Sequence, residues 1–330
     1  MVELSPANAS EYLASRKEIP SGPWRITALG GGVSNTVLLI ECEGGRFVLK
    51  QSLAKLRVKE DWFADRHRIH RECAALRSLA PILPPGSVPG VIFGDAENCL
   101  YAMEAAPYGA ADWKTLLLRG DARSSTVAAA ARILGAQIIA SWKEPRWQLE
   151  FGDQTCFDQL RLDPYYRFTA SRHPDLADYF IDRIEACRRQ ACAMVHGDYS
   201  PKNFLVHGDC VTVIDFEVVH YGDPSFDAAF LLNHLLLKCI HRPEWADRYR
   251  EAAASFWSVL TAALPPRLDW FEASTIGHLG CLHLARVDGK SPAEYITDET
   301  TKERVRVIAR SLIEDPPSTV AQAFERVACP

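Results

Sequence analysis

Apolar and polar positions divide the chain into two stretches of different period. Over the first hundred residues the apolar positions come in short runs. WRITALG, VSNTVLLIECEG, GRFVLKQ, VPGVIFGD and CLYAME are rich in β-branched and aromatic residues and bounded by Gly or Asn, which reads as strand. One stretch, 61–79, takes a helical period, with Ile69, Cys73, Leu76 and Leu79 on one face, and Pro81, Pro84 and Pro85 end it. After Glu104 the helical period dominates. DWKTLLLRG and the alanine-rich SSTVAAAARILGAQIIASWK predict helices, as does PDLADYFIDRIEACRRQACA, whose Pro174 and Asp175 suit a first turn. Strand pattern returns in FLVHGD and CVTVIDFE, a predicted hairpin around a Gly-Asp turn, and from Pro224 onward nearly everything reads as helix. The pattern predicts an α+β chain. A small β-rich N-lobe with one helix covers residues 1–103, and a larger, mostly helical C-lobe covers 104–330.

Composition narrows the class. A chain of 330 residues that is 48% hydrophobic can bury cores in both lobes. The net charge is only −5 and no long basic stripe occurs, which argues against nucleic acid as a partner. The apolar run DAAFLLNHLLLKCI is too short for a membrane span and carries polar residues. The N-terminal residues have neither the apolar centre nor the basic start of a signal peptide. The cysteines are scattered without a CxxC pair, and most sit in apolar runs, which fits buried free thiols better than a disulfide framework. The expectation is a soluble, cytoplasmic protein that binds neither nucleic acid nor membrane.

Four stretches carry candidate chemistry. LGGGVSNTVLLIE sets three glycines between two predicted strands, where the backbone can approach phosphate oxygens closely. It is neither a dinucleotide fingerprint, because Asn35 replaces the third glycine, nor a Walker A loop. By itself it is equally a Gly-rich hairpin turn. Lys50 closes the strand GRFVLK and can aim an ammonium at phosphates, with Glu72 on the predicted helix as its partner. Taken alone, the two are ordinary exposed charges. VHGDYSPKNFLV holds a polar turn between two strand-like triplets: Asp198 can align or deprotonate a hydroxyl, and Asn203 offers an amide oxygen to a hard cation. VTVIDFE places Asp215 at the end of a buried strand, a costly position unless a cation or donor compensates it. Asp198, Asn203 and Asp215 make an oxygen-rich set suited to magnesium. A transition-metal site on His196 and Asp198 is disfavoured for want of further ordered ligands. In YGDPSFDAAFLL, Asp227 falls in an apolar run, and backbone N–H groups of the 196–203 loop are its expected partners.

In this order, LGGGVSNTV, Lys50, Glu72, HGDYSPKN, IDFE and GDPSFD resemble the aminoglycoside phosphotransferase and choline kinase group, which has the protein-kinase-like fold. The resemblance spans most of a catalytic core. It implies a small-molecule kinase that uses ATP and magnesium to phosphorylate a hydroxyl of a sugar, amino-alcohol or aminoglycoside-like metabolite. The roles it implies are as follows. Asp198 is the catalytic aspartate. Asn203 and Asp215 hold magnesium. Lys50 contacts phosphate and pairs with Glu72. Gly31, Gly32, Ser34 and Asn35 cover the phosphates, the last two at the loop tip. Backbone groups of Met103, Glu104 and Ala105 meet the adenine. His196 supports the loop without chemistry.

The chain departs from that pattern at two positions. Glu217 stands where protein kinases have Gly, as in choline and methylthioribose kinases, and either adds a carboxylate to the metal site or faces solvent. Lys202 stands where aminoglycoside enzymes have a small residue, and can reach the γ-phosphate or an anionic substrate. Fewer than a dozen residues separate Asp215 from Asp227, too few for a peptide-docking segment. Arg286, Asp288 and Lys290 form either a charged interhelical loop or a substrate-recognising one. A catalytically silent ATP-binding regulatory module is the alternative class, disfavoured by the complete Asp198, Asn203, Asp215 set.

Overall fold

The computed structural model describes residues 3–30, 34–55, 65–265 and 268–327. It divides into two compact units. The first is Met1–Ala110 with Thr212–Val218, and the second is Ala111–Val211 with Val219–Pro330.

The first unit is built on an antiparallel sheet of five strands: β1 (Arg25–Ala28), β2 (Asn35–Cys42), β3 (Gly45–Ser52), β4 (Val91–Asp95) and β5 (Leu100–Glu104). Their order is β1-β2-β3-β5-β4. All five lie inside the runs whose alternation predicted strands. Alternation on β2 turns Leu38 and Ile40 inward, where they meet Phe47, Leu49, Phe93, Leu100 and Ala102. Ala9 and Leu13, from the short Ala9–Ala14 helix, close the same core. Each such side chain contributes about 1.5–3 kcal/mol by leaving water. The expected helix runs Arg68–Leu79 and buries Ile69, Cys73, Leu76 and Leu79 as its period requires; with Ala9–Ala14 the unit holds a second helix beyond the one expected. Residues 61–64 of the predicted helix lie outside the described residues, and Asp65 to His67 precede its first turn. The unit extends past the expected boundary at 103 because residues beyond β5 are tied back to it. Arg46 donates to the Ala106 carbonyl and covers the Tyr108 ring, and Tyr108 Oη donates to Glu41 at 2.9 Å.

The second unit is helical around Ser225–His241, which is buried on nearly all sides and packs against Ala246–Ala263 and Asp269–Asp288. Ser124–Ser141 and Glu299–Glu314 complete its larger helices, the latter capped by Asp298 accepting from the Thr301 N–H. The predicted helix beginning at Pro174 starts as a 3-10 turn, Pro174–Leu176, and continues as Ala177–Arg189. Asp158–Arg167 forms a π-helix containing Pro164, an element the hydrophobic pattern did not show. The predicted hairpin is present as Phe204–His207 and Cys210–Val213 around Gly208, with Val206 and Leu205 also paired to Ala111 and Asp112. Ala193–Val195 pairs with His220–Gly222 and leads into the polar loop. The described cysteines are free thiols, most of them buried. Among the described residues no helix is long and apolar enough to cross a membrane.

Candidate active site

In the first unit, Lys50 leaves the buried end of β3 with its ammonium between two carboxylates. Nζ lies 2.7 Å from Glu72 Oε1 and 2.5 Å from Asp215 Oδ1. Burial pushes the Lys50 ammonium toward losing its proton. Asp215, Glu72 and Glu217 outweigh that and keep it charged, with its pKa raised above the usual lysine value. Glu72 is buried and pushed up to about 7 by that burial, with Lys50 opposing. Its Oε1 also accepts the Phe216 N–H at 3.0 Å, so the helix fixes both the lysine and the backbone beside Asp215. Asp215 has φ +71°, the left-handed region that non-glycine residues rarely enter. Such strain is held where the surroundings over-determine it, commonly at functional positions.

Glu217 does not face solvent, one of the two alternatives expected for it: it is buried and its carboxylate is engaged. Oε1 accepts Ser34 Oγ at 2.9 Å, and Oε2 accepts Asn35 Nδ2 at 3.0 Å and Arg68 Nε at 3.0 Å. Ser34 and Asn35 are correspondingly not a loop tip. Both are buried, and Asn35 opens β2. Sequence reasoning missed Arg68, the centre of this arrangement. Its guanidinium also donates to the carbonyls of Ser34 (2.5 Å), Leu53 (3.1 Å) and Asp65 (2.8 Å). The available signal was its place one turn before Glu72 on the same helix face. Gly31 and Gly32 lie outside the described residues. Met103 and Glu104 are both tied into the sheet, Met103 paired with Val48 and Val91 and Glu104 with Phe47, its N–H donating to the Gly90 carbonyl at 2.9 Å, and Ala105 follows β5.

Of the three carboxylates in this cluster, Asp215 is the most exposed, at 22%. An accessible carboxylate oxygen fits a hard divalent cation.

In the second unit the loop after Ala193–Val195 is set by buried hydrogen bonds. Asp227 accepts the His196 N–H at 2.6 Å and the Gly197 N–H at 2.9 Å, as its position in an apolar run required. Gly197 has φ +77°, where a side chain would be strained. The His196 ring is fully buried, and its Nδ1 accepts the Asp198 N–H at 3.1 Å, so it serves the loop and not a metal. Asn203 Nδ2 donates to the Asp198 carbonyl at 2.9 Å, which turns the amide oxygen into the group it can offer a cation.

The Asp198 carboxylate itself is buried and meets two cations. Arg161 Nη2 lies 2.9 Å from Oδ2, and Lys202 Nζ lies 3.0 Å from the same oxygen. Burial alone would raise the Asp198 pKa. Lys202 and Arg161 outweigh it and hold the carboxyl far below the usual carboxylate range. Lys202 is 51% exposed and Arg161 is buried, so the first can swing away and the second is fixed. Arg161 also donates Nε to the Gly197 carbonyl at 2.6 Å. It was missed because it sits in QLRLDPYYR, the π-helix; a lone arginine amid apolar and aromatic neighbours was the only signal.

The interhelical residues separate. Asp288 pairs with Arg306 and His173, and Lys290 with Asp163, so both brace helices. Arg286 is buried and donates to Tyr165 Oη.

The family model for the phosphotransferase enzyme family matches residues 25–271. The chain belongs to that family. All the residues above except Arg286, Asp288, Lys290 and Arg306 lie inside the matched span. Methylthioribose kinase of Escherichia coli O45:K1 (strain S88 / ExPEC) is 25% identical over 74% of this chain and 67% of its own length. Methylthioribose kinase 2 of Oryza sativa subsp. japonica is 25% identical over 69% of this chain and 60% of its own length. The matched stretch thus falls short of two thirds of the rice relative. A choline/ethanolamine kinase family protein from Mesorhizobium loti has a TM-score of 0.52 at 16% identity, covering 97% of this chain and 98% of the other. The fold is the protein-kinase-like one. Membership in the phosphotransferase enzyme family makes this chain a small-molecule kinase for which ATP is the implied donor.

Proposed function

We propose that the protein moves the γ-phosphoryl group of ATP to a hydroxyl of a small polar metabolite, with Asp198 aligning the acceptor and Asn203 and Asp215 holding magnesium. The observation that carries this reading is the Asp198 loop. A buried carboxylate there is fixed by Arg161, Asp227 and His196, and carries an exposed, displaceable lysine. Phosphoryl transfer asks a protein chiefly for alignment and charge stabilisation, and this loop offers both.

Lys50, anchored by Glu72, donates to donor phosphate oxygens. Glu104 and Ala105, at the end of β5, meet the adenine. Ser34 and Asn35 are held by Glu217 and Arg68, and the phosphate contacts fall to the backbone of Gly31 and Gly32. Magnesium, when bound, neutralises charge on the transferred group. The hydroxyl oxygen bonds to phosphorus as the bond to the leaving ADP oxygen breaks, and the hydroxyl proton passes to Asp198. A carboxylate with so low a proton affinity is a weak base. It suits late proton transfer in a loose transition state better than early deprotonation. Lys202 leaves Asp198 for the incoming phosphoryl oxygens.

The test is magnesium-dependent ADP release against a metabolite panel headed by methylthioribose and other sugars. Turnover with at least one acceptor, lost in Asp198→Ala and Asp215→Ala, is expected. Nucleotide-dependent thermal stabilisation with no transfer to any acceptor would overturn it in favour of a silent ATP-binding module.

A further inference from the structure

The second unit buries more positive charge beside Asp198 than the chain compensates. On Ser225–His241, Phe230, His234 and Lys238 recur every four residues and share one face. Lys238 is fully buried, yet its Nζ meets only the His234 carbonyl, at 3.3 Å, and the Tyr295 ring, at 5.3 Å. Arg286, at the end of Asp269–Asp288, is 8% exposed. Its bonds go to neutral oxygens: Tyr165 Oη at 3.1 Å, Ser291 O at 2.5 Å and Ser291 Oγ at 3.3 Å. Among the described residues neither cation has a carboxylate partner. Arg286 Nε, His234 Nδ1 and Tyr295 Oη are buried with no hydrogen-bond partner at all. A buried cation without a counter-charge is costly: burial, then Arg286, push the Lys238 ammonium down to about 7, and an anionic ligand would restore its charge.

The group connects to the acceptor end of the site. Arg161, bonded to Asp198, lies 5.8 Å from the rings of both Tyr165 and Phe230, and Tyr165 bridges to Arg286. The His234 ring sits 5.6 Å from Phe230. Burial, then Arg286 and Lys238, hold His234 well below its usual pKa, so it remains neutral. Of the basic side chains here, Arg161 and Lys202 pair with Asp198, whereas Arg286 and Lys238 have the more distant charges of Glu294, which pairs with Lys114, and, for Lys238, of Asp112. The two unpaired basic groups disfavour an amino-alcohol or a polycationic aminoglycoside beside them.

We propose that the acceptor is an alcohol bearing a compact anion, a carboxylate or a phosphate, and that Arg286, Lys238 and Tyr295 grip that anion while Asp198 aligns the hydroxyl. The proposal rests on the reading of Asp198 given above. It differs from a role in donor binding, because Arg286 reaches the Asp198 neighbourhood only through Tyr165 and Lys238 bonds to His234, whereas Lys202 and Arg161 touch Asp198 itself.

The experiment has a kinetic and a binding arm. ADP release is measured with matched pairs: hydroxy acids against their amides, and sugar phosphates against the free sugars. The anionic member of a pair is expected to exceed its neutral partner by roughly 100-fold or more in kcat/KM. Which pair responds separates carboxylate from phosphate. Lys238→Met should raise the acceptor KM about tenfold or more with the ATP KM unchanged. It should not unfold the protein, since it removes an uncompensated buried charge. Arg286→Gln should act the same way.

The binding arm titrates the same hydroxy acids and sugar phosphates by thermal shift, with a non-hydrolysable ATP analogue occupying the donor site. Stabilisation of the wild type that weakens in Lys238→Met is expected. Preference for neutral alcohols, or a Lys238→Met acceptor KM equal to wild type, overturns the inference and leaves the kinase reading intact. Should no acceptor stimulate turnover, the kinase reading falls. The binding arm then still decides whether Lys238 and Arg286 hold an anion: Lys238-dependent stabilisation supports it, and none overturns it.

Discussion

Asp227→Asn isolates the contact that shapes the Asp198 loop. The Asp227 carboxylate is fully buried and accepts two backbone N–H groups, from His196 at 2.6 Å and Gly197 at 2.9 Å. Asparagine keeps one acceptor oxygen and turns an NH2 group toward the other N–H. One charge-assisted bond is lost, about 1.5–3 kcal/mol, and one buried N–H is stranded, about 1–3 kcal/mol. The two overlap, so the net cost is about 2–4 kcal/mol. For a unit of this size each kcal/mol lowers Tm by about 2–4 °C, which puts the shift at roughly 4–16 °C. The loop also loses its fixed geometry, and a displacement of about 1 Å at Asp198 costs roughly 100-fold in kcat. ATP affinity should hold, because Lys50 and its partners belong to the other unit. The assays are denaturant unfolding, acceptor-dependent kcat and nucleotide titration. A variant as stable as wild type with unchanged kcat would refute the assignment of Asp227 as the loop's support.

Three further outcomes follow from the same geometry. Glu72→Gln removes the charge that positions Lys50 at 2.7 Å, and should lower kcat/KM for ATP by roughly 100-fold with acceptor KM little changed, read from steady-state kinetics. Arg68→Met removes the counter-charge of the buried Glu217 carboxylate and one of the two donors to the Ser34 carbonyl, which keeps the Leu53 N–H. It should cost about 3–5 kcal/mol in denaturant unfolding, whereas Glu217→Gln, which keeps the shape, costs less. His283 is fully buried against Asn233 Oδ1 at 2.8 Å, and burial lowers its pKa to about 3. The folded state therefore refuses a proton that the unfolded chain takes up near its ordinary value of about 6.5. The stability it allows is full above that pH and declines as pH falls toward 3, by about 2 kcal/mol at pH 5. His283→Gln should flatten that decline in pH-dependent unfolding.

Much of this site was readable before any coordinates. The strand runs, the Arg68–Leu79 helix and the hairpin after Asn203 follow from local period, whereas the short Ala9–Ala14 helix was not foreseen. Asp227 with the loop backbone follows from a simple rule, that a charge in an apolar run must find a partner, while Lys50 with Glu72 rested on the family resemblance. What was not readable depends on contacts distant in sequence. Ser34 and Asn35 sit close to a glycine run, which suggested a loop tip. Their partner Glu217 lies more than 180 positions away and draws them inward. Arg68 and Arg161 read as ordinary arginines because their neighbours' periods say only that they lie on helices. The π-helix that carries Arg161 has no periodic signature of its own. Arg286, Asp288 and Lys290 are close in sequence, yet the first two are buried at the end of one helix, Asp288 with Arg306 and His173, while Lys290 lies beyond that end and pairs with Asp163 at the surface.

The central claim is that Asp198 serves transfer from ATP to a small-molecule hydroxyl. The most direct measurement follows the γ-phosphoryl group by phosphorus NMR, with ATP, magnesium and a panel acceptor, in the wild type and in Asp198→Asn, with nucleotide affinity measured alongside. The account predicts a new phosphomonoester resonance in the wild type. In Asp198→Asn its rate of appearance should fall by a factor of 1,000 or so, with ATP affinity retained. A phosphomonoester that forms as fast in Asp198→Asn as in the wild type would contradict it.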